Sequence, residues 1–354
     1  MTGESDEVLA VVDNGVGLVT LNRPQAINSL NQNMVDMLST TLARWENDDT
    51  VRAVVLSGAG ERGLCAGGDV VAIYHSARAD KVAARHFWRT EYLLNAQISR
   101  FPKPYVSLMN GIVMGGGVGV AAHANTRVVT DTSKVAMPEV GIGFIPDVGG
   151  AYLLSRTPGA LGLHAALTGA PFSGADAIAM GFADHYVPQE QLAAFIETIV
   201  AHGGRGIDHT LARYAVAPPA SSLAAQHDWI DDCYAADTVA DIVSALRKQG
   251  AEPAHDAANL IATRSPIATS VTLHAVRRAA TLNTLEDVLI QDYRVSCAAL
   301  YSHDLVEGIR AQLIEKDRRP SWSPATLTNV NAADVAAYFA PVDDDLALTE
   351  GELR

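Results

Sequence analysis

Runs of β-branched and aliphatic residues alternate with glycine-rich turns through the N-terminal half of the chain. The first two runs, Val8–Val12 and Val16–Leu21, are separated by Asp13-Asn14-Gly15, and an Asn-Gly turn between such runs predicts a β-hairpin. Later runs of the same kind predict strands at Val51–Ser57, Tyr105–Met109, Arg127–Thr130 and Lys134–Ala136.

Apolar residues spaced three and four positions apart predict helices between these strands. The first helix covers about Asn33–Trp45, and its apolar stripe consists of Met34, Leu38, Leu42 and Trp45. A second helical region runs from about Val70 to Ser99, and from Val239 onward the pattern is almost entirely helical. Because strand, loop and helix recur at short intervals, the pattern predicts an α/β core with crossover connections.

The helical pattern also suggests how the chain is divided. We expect a core over residues 1–250 and a helical C-terminal region over residues 251–354, with Pro218-Pro219 as the alternative boundary. The acidic stretch Val342–Asp345 is predicted to be a solvated tail.

Composition and charge exclude several classes of protein. The formal net charge is −14, which argues against a generally basic nucleic-acid-binding surface. Cys65, Cys233 and Cys297 are far apart in sequence and include no C-x-x-C pair, so neither a disulfide framework nor a zinc site is expected. The N-terminus lacks a signal-peptide pattern, and Gly111–Ala122 is too short and too glycine-rich to span a membrane. We therefore expect a cytoplasmic protein without a membrane partner.

Gly58–Gly63 matches the dinucleotide-binding pattern G-x-G-x-x-G after a predicted strand. In that motif the third glycine packs on a helix. Here it is followed by Leu-Cys-Ala-Gly-Gly-Asp, which is more loop. The glycines are therefore better explained by tight turns and close backbone approach.

Two other glycine-rich segments are suited to binding an oxyanion. Cys65–Asp69 ends the loop that follows the third strand, and Met114–Gly117 precedes a helix of small residues. Glycine backbone approaches a ligand without obstruction by Cβ, and unpaired N–H groups from two separate segments can bind the carbonyl oxygen of a thioester. The alternative is that both segments are only tight turns.

The segment Met137–Gly150 places two carboxylates, Glu139 and Asp147, in a loop that is otherwise apolar and shaped by glycine and proline. Apolar surroundings raise the pKa of a carboxyl and suit it to general acid or base catalysis. Asp147 could instead cap a helix that begins near Gly149.

Together these segments resemble the enoyl-CoA hydratase/isomerase (crotonase) superfamily. Asn22–Leu30 resembles its N-R-P-x-x-x-N-x-L segment near the CoA site. Cys65–Asp69 and Gly115–Gly117 resemble its two oxyanion segments, and by this resemblance the N–H donors are Gly68 and Gly116. The resemblance implies an α/β crotonase fold of repeated β-β-α units with a helical C-terminal region. It also implies an acyl-CoA substrate and a homo-oligomer, a trimer or hexamer.

The match is closer to one branch of that superfamily, the 3-hydroxyisobutyryl-CoA hydrolases. Phe87–Asn95 resembles the branch's substrate-contacting helix, in which the glutamate matching Glu91 binds substrate. Met137–Gly150 is nearly the branch signature, whose two acids match Glu139 and Asp147. The resemblance covers about residues 16–325 and continues through Ser265-Pro266, Asp292-Tyr293-Arg294, His303–Ala311 and Lys316-Asp317.

One departure from typical hydratases indicates the reaction. Hydratases carry a glutamate two residues after the triple glycine and a second one in the Pro-Glu segment. Here the first position is Gly119, the second is retained as Glu139, and Asp147 is an additional carboxylate. The resemblance therefore implies hydrolysis of a short branched 3-hydroxyacyl-CoA, 3-hydroxyisobutyryl-CoA, in valine catabolism.

The resemblance also implies a role for each residue. Gly68 and Gly116 would hold the thioester oxygen, and Glu139 would act as general base for water or as nucleophile. Asp147 would bind the 3-hydroxyl group or shuttle a proton, and Glu91 would orient the acyl group. No metal or redox cofactor is expected. The alternatives are hydration or isomerisation of an enoyl-CoA, a nucleotide-binding oxidoreductase and a non-catalytic CoA-binding protein.

Overall fold

The structure, a computed structural model, describes residues 6–348. Its nine strands include all six predicted runs, with ends that agree or shift by one or two residues, and three short strands that were not predicted. In chain order they are β1 (Val8–Asp13), β2 (Val16–Leu21), β3 (Ala53–Gly58), β4 (Tyr105–Met109), β5 (Ile112–Met114), β6 (Thr126–Val129), β7 (Lys134–Ala136), β8 (Phe172–Ser173) and β9 (His185–Tyr186).

The α-helices connect these strands and then form the C-terminal part of the chain. The first nine are α1 (Gln32–Glu46), α2 (Val70–Ala77), α3 (Val82–Ser99), α4 (Gly116–Ala121), α5 (Gly150–Leu154), α6 (Leu161–Thr168), α7 (Gly174–Ala179), α8 (Leu192–Ala201) and α9 (Ile207–Tyr214). The others are α10 (His227–Tyr234), α11 (Val239–Lys248), α12 (Glu252–Ala262), α13 (Pro266–Ala279), α14 (Leu285–Ala299), α15 (His303–Ile309) and α16 (Ala332–Ala337). Short 3₁₀ helices at Pro24–Ala26, Glu139–Ile142, Gln189–Gln191, Ala224–Gln226 and Leu327–Asn329 join them, and Arg310–Ile314 is a π-helix.

Six strands form the larger sheet, in the order β1-β2-β3-β4-β6-β9. Only the β1–β2 hairpin is antiparallel, and every later pair in this sheet is parallel. A smaller sheet has the order β5-β7-β8. Because the carboxyl ends of parallel strands lie at one edge, the loops that follow β2 and β3 meet there, as ligand-binding loops of α/β sheets commonly do.

The central strand β3 of the larger sheet is buried on both faces. Along β3, Val54 and Leu56 belong to the main hydrophobic core, whereas Ala53 and Val55 belong to a smaller core shared with α8 and α9. Successive side chains of a strand point to opposite faces. Burial on both faces therefore explains why β3 reads as a continuous apolar run rather than an alternating one.

The predicted helical region Val70–Ser99 consists of two helices, α2 and α3. The break lies at Lys81, which has a φ of 67°. Ser76 Oγ accepts the N–H of Ala84 at 2.9 Å across this break. The apolar spacing continues through both helices, so it did not reveal the turn.

The C-terminal helices pack directly on the core. α14 packs against α3, and α13 packs against α5 and α6. These contacts confirm the predicted α/β class with a helical C-terminal region, while the division at residue 251 stays a prediction. Within residues 6–348, no helix has both the length and the hydropathy needed to cross a membrane.

The acidic stretch Val342–Asp345 is solvent-exposed at Asp343 and Asp344, as predicted, but it is not a free tail. Asp345 pairs with Arg294 at 2.6 Å, and Asp344 pairs with Arg89 at 2.9 Å. The following residue, Leu346, is buried in the main core. The acidic residues therefore dock this segment on α3 and α14.

Candidate active site

Asn28 shapes the loop that carries the first oxyanion segment. Its Nδ2 donates to the carbonyl oxygens of Ala59 and Leu64, each at 3.0 Å, and its Oδ1 accepts the N–H of Arg23 at 3.0 Å. Asn28 has a φ of 54°, a conformation that asparagine tolerates better than most residues. The side chain thus ties the N-R-P segment to the loop after β3.

Gly68 lies where these two loops meet. The N–H of Leu30 donates to Gly67 O at 2.8 Å, and the N–H of Asp69 donates to Leu30 O at 2.7 Å. Within residues 6–348, the N–H of Gly68 has no hydrogen-bond acceptor. This amide is therefore available to a ligand.

Gly116 brings the second amide to the same place. It is the first residue of α4, and its N–H also has no acceptor in the described part of the chain. A Cβ atom at Gly116 would lie 3.2 Å from the nitrogen of Gly68 and 2.5 Å from Glu91 Oε1. Only glycine leaves this space open, and the two predicted oxyanion donors are adjacent.

A cavity of about 540 Å³ opens at these amides. The three predicted carboxylates, Glu91, Glu139 and Asp147, all lie in its wall together with both glycines. A Cβ atom at Gly115 would lie 2.8 Å from Glu139 Oε1, so Glu139 borders the second oxyanion segment. Every site residue predicted from the sequence is therefore brought to one cavity.

Burial controls the protonation of these three acids. It raises the pKa of Glu139 well above its usual value, and the nearby Asp147 carboxyl adds to the rise. Burial and Asp147 likewise raise the pKa of Glu91. The pKa of Asp147 is raised by burial to about 7, although a hydrogen bond from Tyr92 opposes this shift. A carboxyl with a pKa near neutrality is suited to general acid or base catalysis.

Asp147 does not cap a helix with its side chain, so that alternative is wrong. Gly149 occupies the N-cap position of α5 and makes no side-chain cap. The Asp147 carboxylate instead accepts a hydrogen bond from Tyr92 Oη at 2.6 Å, and Tyr92 Oη also lies 2.7 Å from Ser296 Oγ. Tyr92 was missed in the sequence, although it immediately follows Glu91 on α3.

The turn after Asp147 is strained. Val148 has a φ of 52°, and Gly149 follows with a φ of 74°. A β-branched residue in the left-handed region is unusual and costs on the order of 1–3 kcal/mol. His123 Nε2 donates to Val148 O at 2.8 Å, and the N–H of Gly149 donates to Asp292 Oδ2 at 2.9 Å.

Gly119 shows why the hydratase glutamate has no counterpart at its position. A Cβ atom there would lie 2.7 Å from Val148 Cβ and 2.9 Å from Asn95 Nδ2. The space is filled by the turn that presents Asp147. The two sequence changes, an acid lost at Gly119 and an acid gained at Asp147, are thus parts of one rearrangement.

Aromatic and aliphatic side chains close the rest of the cavity. Trp88 and Phe144 stack with ring centroids 5.2 Å apart. On the facing side, the cavity is lined by α15 and the π-helix through Leu305, Ile309, Gln312 and Leu313. Sequence reasoning missed this wall, because the contacts of α15 with α2 and with the Glu139–Ile142 segment join parts of the chain that are far apart in sequence.

The G-x-G-x-x-G segment is not a dinucleotide fingerprint. After β3 the next helix begins at Val70, seven residues beyond the third glycine, Gly63, where the fingerprint requires one. Gly63 instead pairs with Gly111 in an isolated β-bridge. A Cβ atom at Gly63 would collide with the backbone of Ile112, so this glycine serves close backbone packing.

The fold and the site together define an acyl-CoA enzyme of the crotonase type. The family model described as "Enoyl-CoA hydratase/isomerase" matches residues 16–339, and the chain belongs to this family. A curated relative, "3-hydroxyisobutyryl-CoA hydrolase, mitochondrial" of Danio rerio, is 38% identical over 97% of this chain and 92% of its own length.

Two solved structures carry other titles. "Crystal structure of a Carnitinyl-CoA dehydratase from Mycobacterium thermoresistibile" is 68% identical, with a TM-score of 0.94 over 97% of this chain and 99% of that chain. "Crystal structure of an enoyl-CoA hydratase from Rhodobacter sphaeroides 2.4.1" is 37% identical, with a TM-score of 0.91 over 96% of this chain and 99% of that chain. The similarity confirms the crotonase fold, and the three names describe three reactions of acyl-CoA thioesters.

Proposed function

We propose that this protein hydrolyses 3-hydroxyisobutyryl-CoA to 3-hydroxyisobutyrate and CoA. The observation that carries the proposal is the placement of Glu139 and Asp147 around two unpaired glycine amides, with Gly119 packed against Val148. The curated relatives named as 3-hydroxyisobutyryl-CoA hydrolases support the same reaction.

The N–H groups of Gly68 and Gly116 bind the thioester oxygen. They stabilise the negative charge that forms on this oxygen when the carbonyl carbon is attacked, and loss of one such donor typically costs about 3 kcal/mol in the barrier. Their separation from bulk water, by the apolar walls of the cavity, strengthens this interaction.

Glu139 activates the attacking group. As general base it takes a proton from water, and the resulting tetrahedral intermediate expels the CoA thiolate, which receives that proton. As nucleophile it displaces the thiolate directly and forms a mixed anhydride, which water then hydrolyses. Both routes require ionised Glu139, although burial favours its protonated form.

Asp147 and Glu91 bind the acyl group. Asp147, held by Tyr92, accepts a hydrogen bond from the 3-hydroxyl group of the substrate, and Glu91 borders Gly116 on the opposite side. A buried site built to hydrogen-bond a hydroxyl discriminates strongly against substrates that lack it. The site therefore selects 3-hydroxyacyl groups over unsubstituted ones.

Dehydration of a 3-hydroxyacyl-CoA is the second candidate, because the 68% identical structure is titled a carnitinyl-CoA dehydratase. Cavity-lining carboxylates beside Trp88 and Phe144 are compatible with a trimethylammonium group. Dehydration leaves the thioester intact, so the two reactions differ in whether free CoA is released.

The biological setting belongs to the same proposal. Hydrolysis of 3-hydroxyisobutyryl-CoA is a step of valine catabolism, and it needs no metal or redox cofactor. The cytoplasmic location and the trimeric or hexameric assembly stay predictions, and the relatives named here as hydrolases carry the word mitochondrial.

The test is an acyl-CoA panel with product identification. The purified protein is incubated separately with 3-hydroxyisobutyryl-CoA, carnitinyl-CoA and crotonyl-CoA, in buffer with and without a metal chelator. We expect release of free thiol from 3-hydroxyisobutyryl-CoA, unchanged by the chelator, and little loss of the conjugated absorbance of crotonyl-CoA. Dehydration of carnitinyl-CoA or hydration of crotonyl-CoA, without thiol release from any substrate, would contradict the proposal.

A further inference from the structure

Asp292, on α14, lies behind the carboxylate turn and takes no part in the steps proposed above. Its side chain is fully buried, and its Oδ2 accepts the N–H of Gly149 at 2.9 Å. Its other oxygen, Oδ1, has no hydrogen-bond partner among residues 6–348. A buried carboxyl with one partner is costly compared with an apolar side chain of similar size. Packing alone therefore does not account for Asp292.

We propose that Asp292 is a positioning residue, which holds the Asp147–Gly149 turn in the conformation that directs Asp147 into the cavity. The proposal rests on the proposed function for the role of Asp147. It adds a group that acts through Asp147 and touches no substrate.

The backbone of the turn shows why an anchor is needed. Val148 and Gly149 are consecutive residues with positive φ, and a valine relaxes readily to extended backbone when nothing opposes it. Such a change would rotate both peptide groups of the turn and carry the Asp147 carboxyl away from Tyr92.

Two contacts from opposite sides oppose that relaxation. His123 Nε2 donates to Val148 O, and Asp292 Oδ2 accepts the N–H of Gly149. Burial lowers the pKa of His123 to about 4, so its ring is neutral and carries the hydrogen on Nε2. Burial also raises the pKa of Asp292 well above its usual value. The Gly149 contact therefore requires an acceptor oxygen, which asparagine also supplies, rather than a negative charge.

The test compares Asp292→Asn, which keeps an acceptor, with Asp292→Leu, which keeps the shape without one. We expect Asp292→Leu to lower kcat/KM for 3-hydroxyisobutyryl-CoA by on the order of tenfold to a hundredfold, because the Asp147 carboxyl is then misplaced for the 3-hydroxyl group. Asp292→Asn should retain most of the wild-type kcat/KM. The control is Gln291→Leu on the same helix, since Gln291 is buried and bonds to Ala275 O.

A second readout does not depend on activity. Amide hydrogen exchange of the peptide containing Gly149 should be faster in Asp292→Leu than in wild type, and close to wild type in Asp292→Asn. In an Asp147→Asn background, Asp292→Leu should cause little further loss of kcat/KM, because both changes act on one group. If Asp292→Leu does not fold, Asp292→Ala takes its place.

Three outcomes overturn the inference. They are a folded acceptor-free variant with wild-type kcat/KM, an Asn variant as impaired as the Leu variant, and additive losses in the double variant. Absence of thiol release by the wild-type protein would instead refute the proposed function, and the exchange comparison would still decide whether Asp292 anchors the turn.

Discussion

At the residue scale, Glu139 is the group proposed to activate the attacking oxygen. Glu139→Gln keeps the shape of the side chain and removes its basicity. We expect kcat/KM for thiol release from 3-hydroxyisobutyryl-CoA to fall at least about a hundredfold, the usual contribution of general-base catalysis. The thermal midpoint should be retained or rise, because the change removes a buried ionisable group.

The matched control for this substitution is Glu190→Gln, which makes the same chemical change at an exposed position. It should leave both kinetics and thermal stability unchanged. A folded Glu139→Gln variant with most of its wild-type activity would remove Glu139 from the mechanism.

A substitution at Gly116 tests whether the space beside the two proposed oxyanion donors must stay empty. Gly116→Ala keeps the N–H but places a methyl group 2.5 Å from Glu91 Oε1 and 3.2 Å from the nitrogen of Gly68. The thioester oxygen then cannot reach both amides, and we expect a loss of roughly a hundredfold or more in kcat. Gly250→Ala is the control, since a Cβ atom at Gly250 meets nothing within 4 Å. Near-normal turnover by Gly116→Ala would contradict the two-amide site.

Part of the site was predictable from chemical signatures in the sequence. Glycine runs and carboxylates in apolar loops are local features, and they indicated the two oxyanion segments together with Glu139 and Asp147. The family resemblance then singled out Gly68 and Gly116 within those segments. Asp292 lies in one of the motifs that carry the family resemblance, but no role was predicted for it. Its contact with Gly149 joins residues that are far apart in the chain and leaves no local pattern.

At the element scale, α3 supplies one side of the site. Phe87, Trp88 and Glu91 line the cavity at helical spacing, while Tyr92 supports Asp147 from behind. The sequence predicted a helical region that includes α3, and the family resemblance implied a substrate-binding role for Glu91. It did not predict Tyr92, because an aromatic residue in a buried helix is ordinarily a core residue.

Tyr92→Phe removes a hydrogen bond to the Asp147 carboxylate and leaves the ring packing intact. Because that hydrogen bond lowers the pKa of Asp147, its loss should raise this pKa further above its usual value. We expect kcat/KM at pH 7 to fall roughly tenfold to a hundredfold, the equivalent of losing a hydrogen bond to a charged group. The activity should recover partly at higher pH, where Asp147 ionises again.

The control for Tyr92→Phe is Tyr234→Phe. Tyr234 is also buried, and its hydroxyl lies 3.0 Å from His164 Nδ1, outside the cavity. It should leave the pH profile unchanged. If Tyr92→Phe has a wild-type profile as well, Tyr92 does not support Asp147 in the manner described.

At the scale of the whole molecule, the buried acids Glu91, Glu139, Asp147 and Asp292 make folding dependent on pH. The folded pKa of Asp147 is about 7, against a usual value of 3.8. Between these values the folded state keeps a proton that the unfolded state releases, so rising pH favours unfolding. This destabilisation is absent below about pH 4 and complete once the pH exceeds the folded pKa.

Asp147→Asn removes this dependence and also relieves the neighbouring acids. The difference in thermal midpoint, variant minus wild type, should therefore be larger at pH 8 than at pH 5. Differential scanning calorimetry across this range measures it, with Asp256→Asn on α12 as an exposed control. A difference that shrinks as the pH rises would contradict the assigned protonation states.

The whole-molecule arrangement was the least predictable from the sequence. The strands and the α/β class follow from local patterns, but the wall formed by α15 and the π-helix depends on long-range packing. The docking of Val342–Asp345 through Arg89 and Arg294 depends on it as well. From the sequence alone, an acidic segment is predicted to be solvated, because the arginines that pair with it lie far away in the chain.

The most direct test of the central claim follows an oxygen atom. Multiple turnovers of 3-hydroxyisobutyryl-CoA are run in H₂¹⁸O, and the products are analysed by mass spectrometry. Hydrolysis predicts one ¹⁸O atom in the carboxyl group of 3-hydroxyisobutyrate for each CoA released, by either the general-base or the nucleophilic route. An unlabelled thioester that has lost its hydroxyl group as water, with no free CoA, would contradict the account.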